Sequence, residues 1–253
     1  YMLPTRCRIR FKGGRYQVQL GASDIGTGAW TILPQIAADA IGVPVEVIDL
    51  VSADTDITPD CGKTSASRQT FVTGRATQLA GEALRGQILR LANAGADATI
   101  DLRAGAIVIT GSGGRHEIDL ATLAPDARGY VLCAEETFDP PTTPLDADGQ
   151  GEPYAVYGFG AHMAEIEVDT SLGVVRVLRI VAAHDVGKAI NPTLLEGQIE
   201  GGVAQGLGLA LMEEFFPGRG ENLHDYLIPT IGDVPPIESI LIEEPGPLGP
   251  FGA

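Results

Sequence analysis

Positive charge is scarce in this sequence: 17 Lys and Arg stand against 33 Asp and Glu in 253 residues, for a formal net charge of −16. Nucleic acid and anionic membrane surfaces both reward clustered Lys and Arg, so neither is expected as the main partner. A phosphorylated ligand remains compatible, because backbone N–H groups hold phosphate without any cationic side chain. Cysteine is sparse too. Cys7, Cys61 and Cys133 lie far apart, are odd in number and form no CxxC pair. A disulfide framework is therefore not expected, and a reducing compartment, the cytoplasm, is. There is no run of eighteen apolar residues and no basic-plus-apolar leader, which leaves membrane insertion without support. Neither Tyr1 nor Gly252-Ala253 reads as a natural terminus, so a piece of a longer polypeptide is expected.

Glycine is what the sequence has in quantity, 33 residues beside 17 prolines, while 44% of the chain is hydrophobic. That apolar content excludes wholesale disorder. The length suits one large or two modest domains with real cores.

Arg15 to Leu20 alternates polar and apolar residues, as a half-buried strand does. A glycine-rich turn follows, Gly21-Ala-Ser-Asp-Ile-Gly-Thr-Gly28. Ile32, Ile36, Ala37 and Ala40 then predict a helix from about Ala29 to Ile41, stopped by Gly42. Val45 to Val51 predicts a second, more deeply buried strand. Asp54 to Gln69 is a polar loop, and a helix is expected from Thr70 to Asn93 with Leu79, Leu84, Ile88 and Leu91 on one side. Thr99–Leu102, Ala106–Thr110 and Arg115–Ile118 read as short strands, with Asp119 capping a helical turn behind them. Residues 139–154, rich in Pro and Asp, read as a linker or long loop between a first subdomain at 1–138 and a second at 155–253. The second opens with a hairpin, His162–Asp169 and Val174–Ala183, joined by Thr170-Ser-Leu-Gly173. Asn191-Pro192 is a strong start for a helix to about Phe215, and Pro236–Glu243 makes a last strand.

Gly26-Thr-Gly28, between a strand and a helix, invites a dinucleotide reading, but Thr31 stands where the third glycine is required. Cys61-Gly-Lys-Thr64 resembles the end of a P-loop, and Ile57 occupies the position of its first glycine. What survives is a glycine turn at a helix N-terminus, either an anion site or a plain tight turn. Thr64-Ser-Ala-Ser-Arg-Gln-Thr70 supplies many neutral donors and one cation, as a pterin or phosphate needs, or else is a solvated loop before a capped helix. Gln198 and Gln205 share a face of a helix carrying Gly197, Gly201, Gly202, Gly206 and Gly208, open either to a ligand or to a packed helix. His116, His162, His184 and His224 show no ligand spacing, and no GxSxG is present.

In order and spacing, these segments resemble the molybdopterin-binding large subunit of the molybdenum hydroxylases, the xanthine dehydrogenase and aldehyde oxidase family. The likeness runs through Gly21–Gly28, Asp54-Thr-Asp to Thr70 and Gly74-Arg-Ala. It continues in Tyr157-Gly-Phe-Gly-Ala-His-Met to Asp169, Asp185-Val-Gly-Lys-Ala-Ile-Asn-Pro192 and Glu196-Gly-Gln to Gly208. It implies an α+β fold of two packed subdomains of mixed sheets and helices. It further implies a molybdenum–molybdopterin cofactor, with the plain pterin and the cytosine dinucleotide form both open. Gly26, Thr27, Gly28, Ser67, Arg68, Gln69 and Gln205 are the implied cofactor contacts, and the backbone of Ala66 falls beside the metal. Several members have Gln where Thr27 stands, so that contact differs here.

The family's general base, a Glu in Gly-Xaa-Gly-Glu, follows the equivalent of Pro250-Phe-Gly-Ala253 and is not in this sequence. No catalytic side chain is assigned, and Glu243 and Glu244 do not replace it. The implied activity of the complete enzyme is hydroxylation of an aldehyde or N-heterocycle with water as oxygen source. Its electrons leave through 2Fe-2S clusters and FAD on partner domains or subunits, and the other half of the large subunit is a further implied partner. An alternative from a different class is a non-catalytic pterin-binding or interaction module.

Overall fold

A computed structural model describes residues 4–103 and 105–253. The chain divides into two compact units, Tyr1–Val156 with Gly246–Ala253, and Tyr157–Pro245.

The first unit opens with β1 (Thr5–Lys12) and β2 (Arg15–Leu20), an antiparallel pair turned at Gly13-Gly14. Along β1 the residues Cys7, Ile9 and Phe11 enter the core, and Arg6 and Arg8 take the other face. Helix α1 (Ala29–Ile41) follows the glycine turn over the expected span and ends where Gly42 takes a left-handed conformation. β3 (Ile48–Ser52) then lies parallel to β2, so β2, α1 and β3 form a crossover unit. The expected strand at Val45–Val51 is shorter and shallower than its sequence suggests. Pro44 starts a single 3₁₀ turn over Val45–Val47, and only Ile48 of the strand is buried.

Helix α2 (Gly74–Leu91) is preceded by a π-turn, Gln69–Thr73. Gly81 lets α2 cross α1 closely, since a Cβ there would stand 2.5 Å from the Ala40 Cβ. Leu84 and Ile88 are buried as expected, whereas Leu91, in the last turn, points to solvent and is exposed. β4 (Thr99–Arg103), β5 (Ala106–Gly111) and β6 (Gly114–Asp119) make a separate antiparallel sheet. Asp119 caps the turn after it by accepting from the Ala121 N–H. β7 (Cys133–Phe138) pairs with β1 and completes a sheet of order β3-β2-β1-β7. α1 and α2 pack on that sheet over a core that includes Ile9, Tyr16, Val18, Leu20, Leu33 and Ile36. At the far end of the chain, Pro250 rests on Gly74, and the Phe251 N–H donates to Gln78 Oε1 at 3.2 Å.

The second unit is smaller. β8 (Gly160–Asp169) and β9 (Val174–Asp185) form the expected hairpin, and β10 (Ile237–Ile242) adds parallel to β9. Between β9 and β10 runs α3 (Pro192–Leu211), its Asn191 cap accepting from the Leu194 N–H at 3.1 Å. Its core is Ile180, Ala182 and Val203, flanked by Val177, Ile199 and Ile237. This gives mixed parallel and antiparallel sheets with helices, the α+β class. Among the described residues no helix is long and apolar enough to cross a membrane.

Candidate functional site

Two loops of the first unit come together behind β2 and β3. The glycine loop, residues 21–28, leads into α1. The donor loop, residues 54–68, leads into the π-turn and α2. Thr64 Oγ1 donates to the Ser23 carbonyl at 2.7 Å, and the Gly21 N–H donates to Cys61 Sγ at 3.0 Å. A Cβ on Gly21 would stand 2.8 Å from the Pro59 carbonyl oxygen, so the loops meet backbone to backbone there.

The glycine loop is shaped by Asp24. Its Oδ1 accepts from the N–H groups of Gly26 at 2.8 Å and Gly28 at 3.3 Å, and its Oδ2 accepts from Trp30 N–H at 3.1 Å. Burial raises the Asp24 carboxyl, but these donors together with the Thr27 N–H outweigh it and hold the group below its ordinary value. The negative charge favoured at the start of α1 is therefore supplied by the chain itself. Gly26 and Gly28 are left-handed, with φ of 98° and 79°, which their lack of a Cβ permits. Gly26 and Thr27 are exposed at the tip of the turn.

The donor loop has an outer and an inner part. Ser65, Ala66 and Ser67 are exposed, and Ala66 and Ser67 are both left-handed, at φ 56° and 52°. Two successive non-glycine residues in that region cost about 1–2 kcal/mol each, and such strain persists where surrounding bonds over-determine the backbone. The next two residues provide those bonds. Arg68 is 5% exposed, and its guanidinium donates to the carbonyls of Cys61 and Lys63 and to Thr5 Oγ1 at 2.8 Å. Gln69, 7% exposed, donates from Nε2 to Thr64 Oγ1 at 2.9 Å and accepts from Thr73 Oγ1 at 2.6 Å. The strained apex is thus held from behind by a buried arginine and a buried amide, and a π-turn, a feature frequent at functional sites, follows it.

Of the sequence-predicted site residues, the structure gathers Gly26, Thr27, Gly28, Ala66, Ser67 and Arg68 on these two joined loops, with Gln69 first in the π-turn that follows. It places Gln205 in the second unit, exposed on α3. On that helix, among the described residues and apart from the helix's own backbone, a Cβ added to Gly197, Gly201, Gly202 or Gly206 would meet nothing within 4 Å, while Gly208 is crowded by Glu213 and Pro229. Sequence reasoning missed Asp24, Cys61 and Thr64 as organisers. Asp24 was legible as an Asx residue two positions before Gly26. Cys61 carried no such signal.

The family model of the molybdopterin cofactor-binding domain matches residues 4–235. The chain belongs to this family. Among curated relatives, the xanthine dehydrogenase molybdenum-binding subunit of Escherichia coli O157:H7 is 34% identical over 254 residues, covering 94% of this chain and 32% of the relative. The 6-hydroxypseudooxynicotine dehydrogenase complex subunit gamma of Paenarthrobacter nicotinovorans is 32% identical over 251 residues, covering 96% and 31%. In three dimensions the chain is similar to the aldehyde oxidoreductase from Desulfovibrio gigas, with a TM-score of 0.81 and 28% identity over 99% of this chain and 26% of that one. The chain spans about a third of the length of the curated relatives it matches.

The residues present fit a molybdopterin. The Ser65–Ser67 apex exposes hydroxyl and main-chain groups in a curved, braced backbone, suited to a ligand dense in oxygen and nitrogen. Among the described residues no group of three His, Cys, Asp or Glu is gathered to hold a metal.

Proposed function

We propose that this chain is the molybdopterin-binding portion of a cytoplasmic molybdenum hydroxylase that oxidises an aldehyde or an N-heterocycle with water as the oxygen source. Electrons pass to 2Fe-2S and FAD partners, and the rest of the large subunit completes the site. The observation that carries this reading is the strained, exposed Ala66–Ser67 apex, lashed through Thr64 to the glycine loop, in a chain of the molybdopterin-binding family. The substrate classes follow the names of its relatives, a xanthine dehydrogenase, a 6-hydroxypseudooxynicotine dehydrogenase and an aldehyde oxidoreductase.

When bound, the molybdenum cofactor supplies the two-electron oxidation of the substrate carbon. The chain's own residues bind and orient. Gly26, Thr27 and Gly28 offer a turn that a flat ligand can approach closely. Ser67 would offer its hydroxyl, and the Ala66 main chain would be among the groups that hold the cofactor on its metal side. Arg68 and Gln69 act from behind the apex, setting the direction of its N–H groups. The Asp24 carboxylate already occupies the start of α1. The phosphate of a pterin, or the two phosphates of a cytosine dinucleotide form, would therefore be held elsewhere than at that helix end.

The reading is tested by purifying the whole complex and identifying the released pterin by fluorescence and mass spectrometry. A molybdopterin, in its plain or its cytosine dinucleotide form, is the expected product, and a complex free of pterin contradicts the reading.

A further inference from the structure

We propose that Cys61, itself part of the donor loop, is a positioning residue that fixes that loop and the glycine loop as one body, through a thiol that accepts from the glycine loop while donating to β1. This rests on the cofactor-binding reading above and assigns that site its internal coupling.

The Cys61 residue is 1% exposed. Its Sγ accepts from the Gly21 N–H at 3.0 Å, where the glycine loop begins, and donates to the Arg6 carbonyl on β1 at 3.1 Å. The main chain of the same residue serves the other loop. Its carbonyl oxygen accepts from Arg68 Nη1 and from Thr5 Oγ1, the latter at 3.1 Å. Arg68 is the brace under the Ala66–Ser67 apex. One residue therefore holds the glycine loop with its side chain and the brace of the donor loop with its carbonyl.

The chemistry narrows what can stand at this position. The group must donate and accept at once, which a protonated thiol or a hydroxyl can do and a thiolate cannot. Burial, the largest influence on Cys61, pushes its thiol up, and the N–H groups of Gly21 and Ala22 only partly offset that. The sulfur accordingly keeps its proton for Arg6. Valine would fill the same space with neither function, leaving the Gly21 N–H and the Arg6 carbonyl without this partner. Serine keeps both functions at a slightly shorter reach.

The test uses the full complex with Cys61→Val, Cys61→Ala and Cys61→Ser, followed by amide hydrogen exchange and by pterin retention on dialysis. Loss of a buried hydrogen bond of about 1 kcal/mol corresponds to roughly five- to tenfold faster local opening. Cys61→Val is expected to raise exchange by that factor at both loops, 21–28 and 64–69, with the β4–β6 sheet unchanged, and to speed pterin loss by a similar factor. Cys61→Ser is expected to restore both. If Cys61→Val does not fold, Cys61→Ala against Cys61→Ser carries the same comparison. Wild-type exchange in the valine or alanine variant overturns the proposal. So does an increase spread evenly over the whole unit, or a serine variant no better than alanine. A wild-type complex without pterin defeats the cofactor reading alone, and the exchange comparison then decides the coupling by itself.

Discussion

The Thr64 hydroxyl donates to the Ser23 carbonyl at 2.7 Å and so joins two loops 41 residues apart in the chain. Its oxygen also accepts from Gln69 Nε2 at 2.9 Å, so Thr64 links the glycine loop to the turn that starts α2. Replacing it with valine removes both bonds at nearly constant volume. About 1–2 kcal/mol of stability is expected to be lost, together with pterin retention. Thr64→Ser is expected to keep most of both. Thermal unfolding and pterin content, measured side by side, check this.

Asp24 predicts an acid-side effect. Its folded carboxyl lies below the ordinary value of 3.8, because four backbone N–H groups outweigh the effect of burial. A depressed folded value means that Asp24 contributes fully above pH 3.8 and that its contribution is lost as pH falls through the lower, folded value. Asp24→Asn keeps one acceptor and loses the charge, at a cost of about 0.5–1 kcal/mol at neutral pH. Melting temperatures followed from neutral pH to about pH 2 are expected to converge for wild type and variant only at the acid end. A constant gap across the range contradicts the assignment.

Arg85 ties three carbonyl groups at the rear of the first unit. It donates to Ile41 at 2.8 Å, where α1 ends, and to Ala96 at 3.0 Å and Ala98 at 2.6 Å, ahead of β4. Arg85→Ala is expected to cost about 2–3 kcal/mol, since hydrogen bonds from a charged donor are worth more than neutral ones. The loss is far from the loops and is expected to lower the melting temperature while leaving the pterin identity unchanged.

Gly74→Ala sets two effects against each other. Alanine is favoured over glycine in a helix by about 1 kcal/mol. Here, however, its Cβ would stand 2.9 Å from Pro250 Cγ and 3.0 Å from Ile36 Cδ1. Forcing an added methyl into such a contact typically costs about 1–3 kcal/mol, so steric crowding is expected to win. The variant is expected to melt lower and to loosen Gly246–Ala253 from α2, seen as faster exchange at the Phe251 amide, which donates to Gln78.

Much of the fold could be read from periodicity. α1 has the span its apolar spacing and Gly42 predict, and the β8–β9 hairpin and the Asn191 cap stand where turn chemistry puts them. β1 was hidden. Its second face carries Arg6, Arg8 and Arg10, which meet Gln19 and Gln17 on the adjacent β2 but also Glu135 and the Tyr130 ring, both far off in the chain. A strand so dependent on long-range partners has little local signature. β7 was missed for the same reason, being the strand that supplies Glu135. In the site, residue type announced donors at Arg68 and Gln69, but not that both turn inward. That orientation comes from the carbonyls of Cys61 and Lys63 and from Thr5, Thr64 and Thr73, which only the folded loops bring within reach.

The most direct test of the account is the cofactor content of the complete complex, isolated with the rest of its large subunit and its iron–sulfur and flavin partners. Elemental analysis for molybdenum, paired with fluorescence of the oxidised pterin, is expected to give about one of each per chain. A folded complex holding neither molybdenum nor pterin, even when assembled in cells that make both, would contradict it.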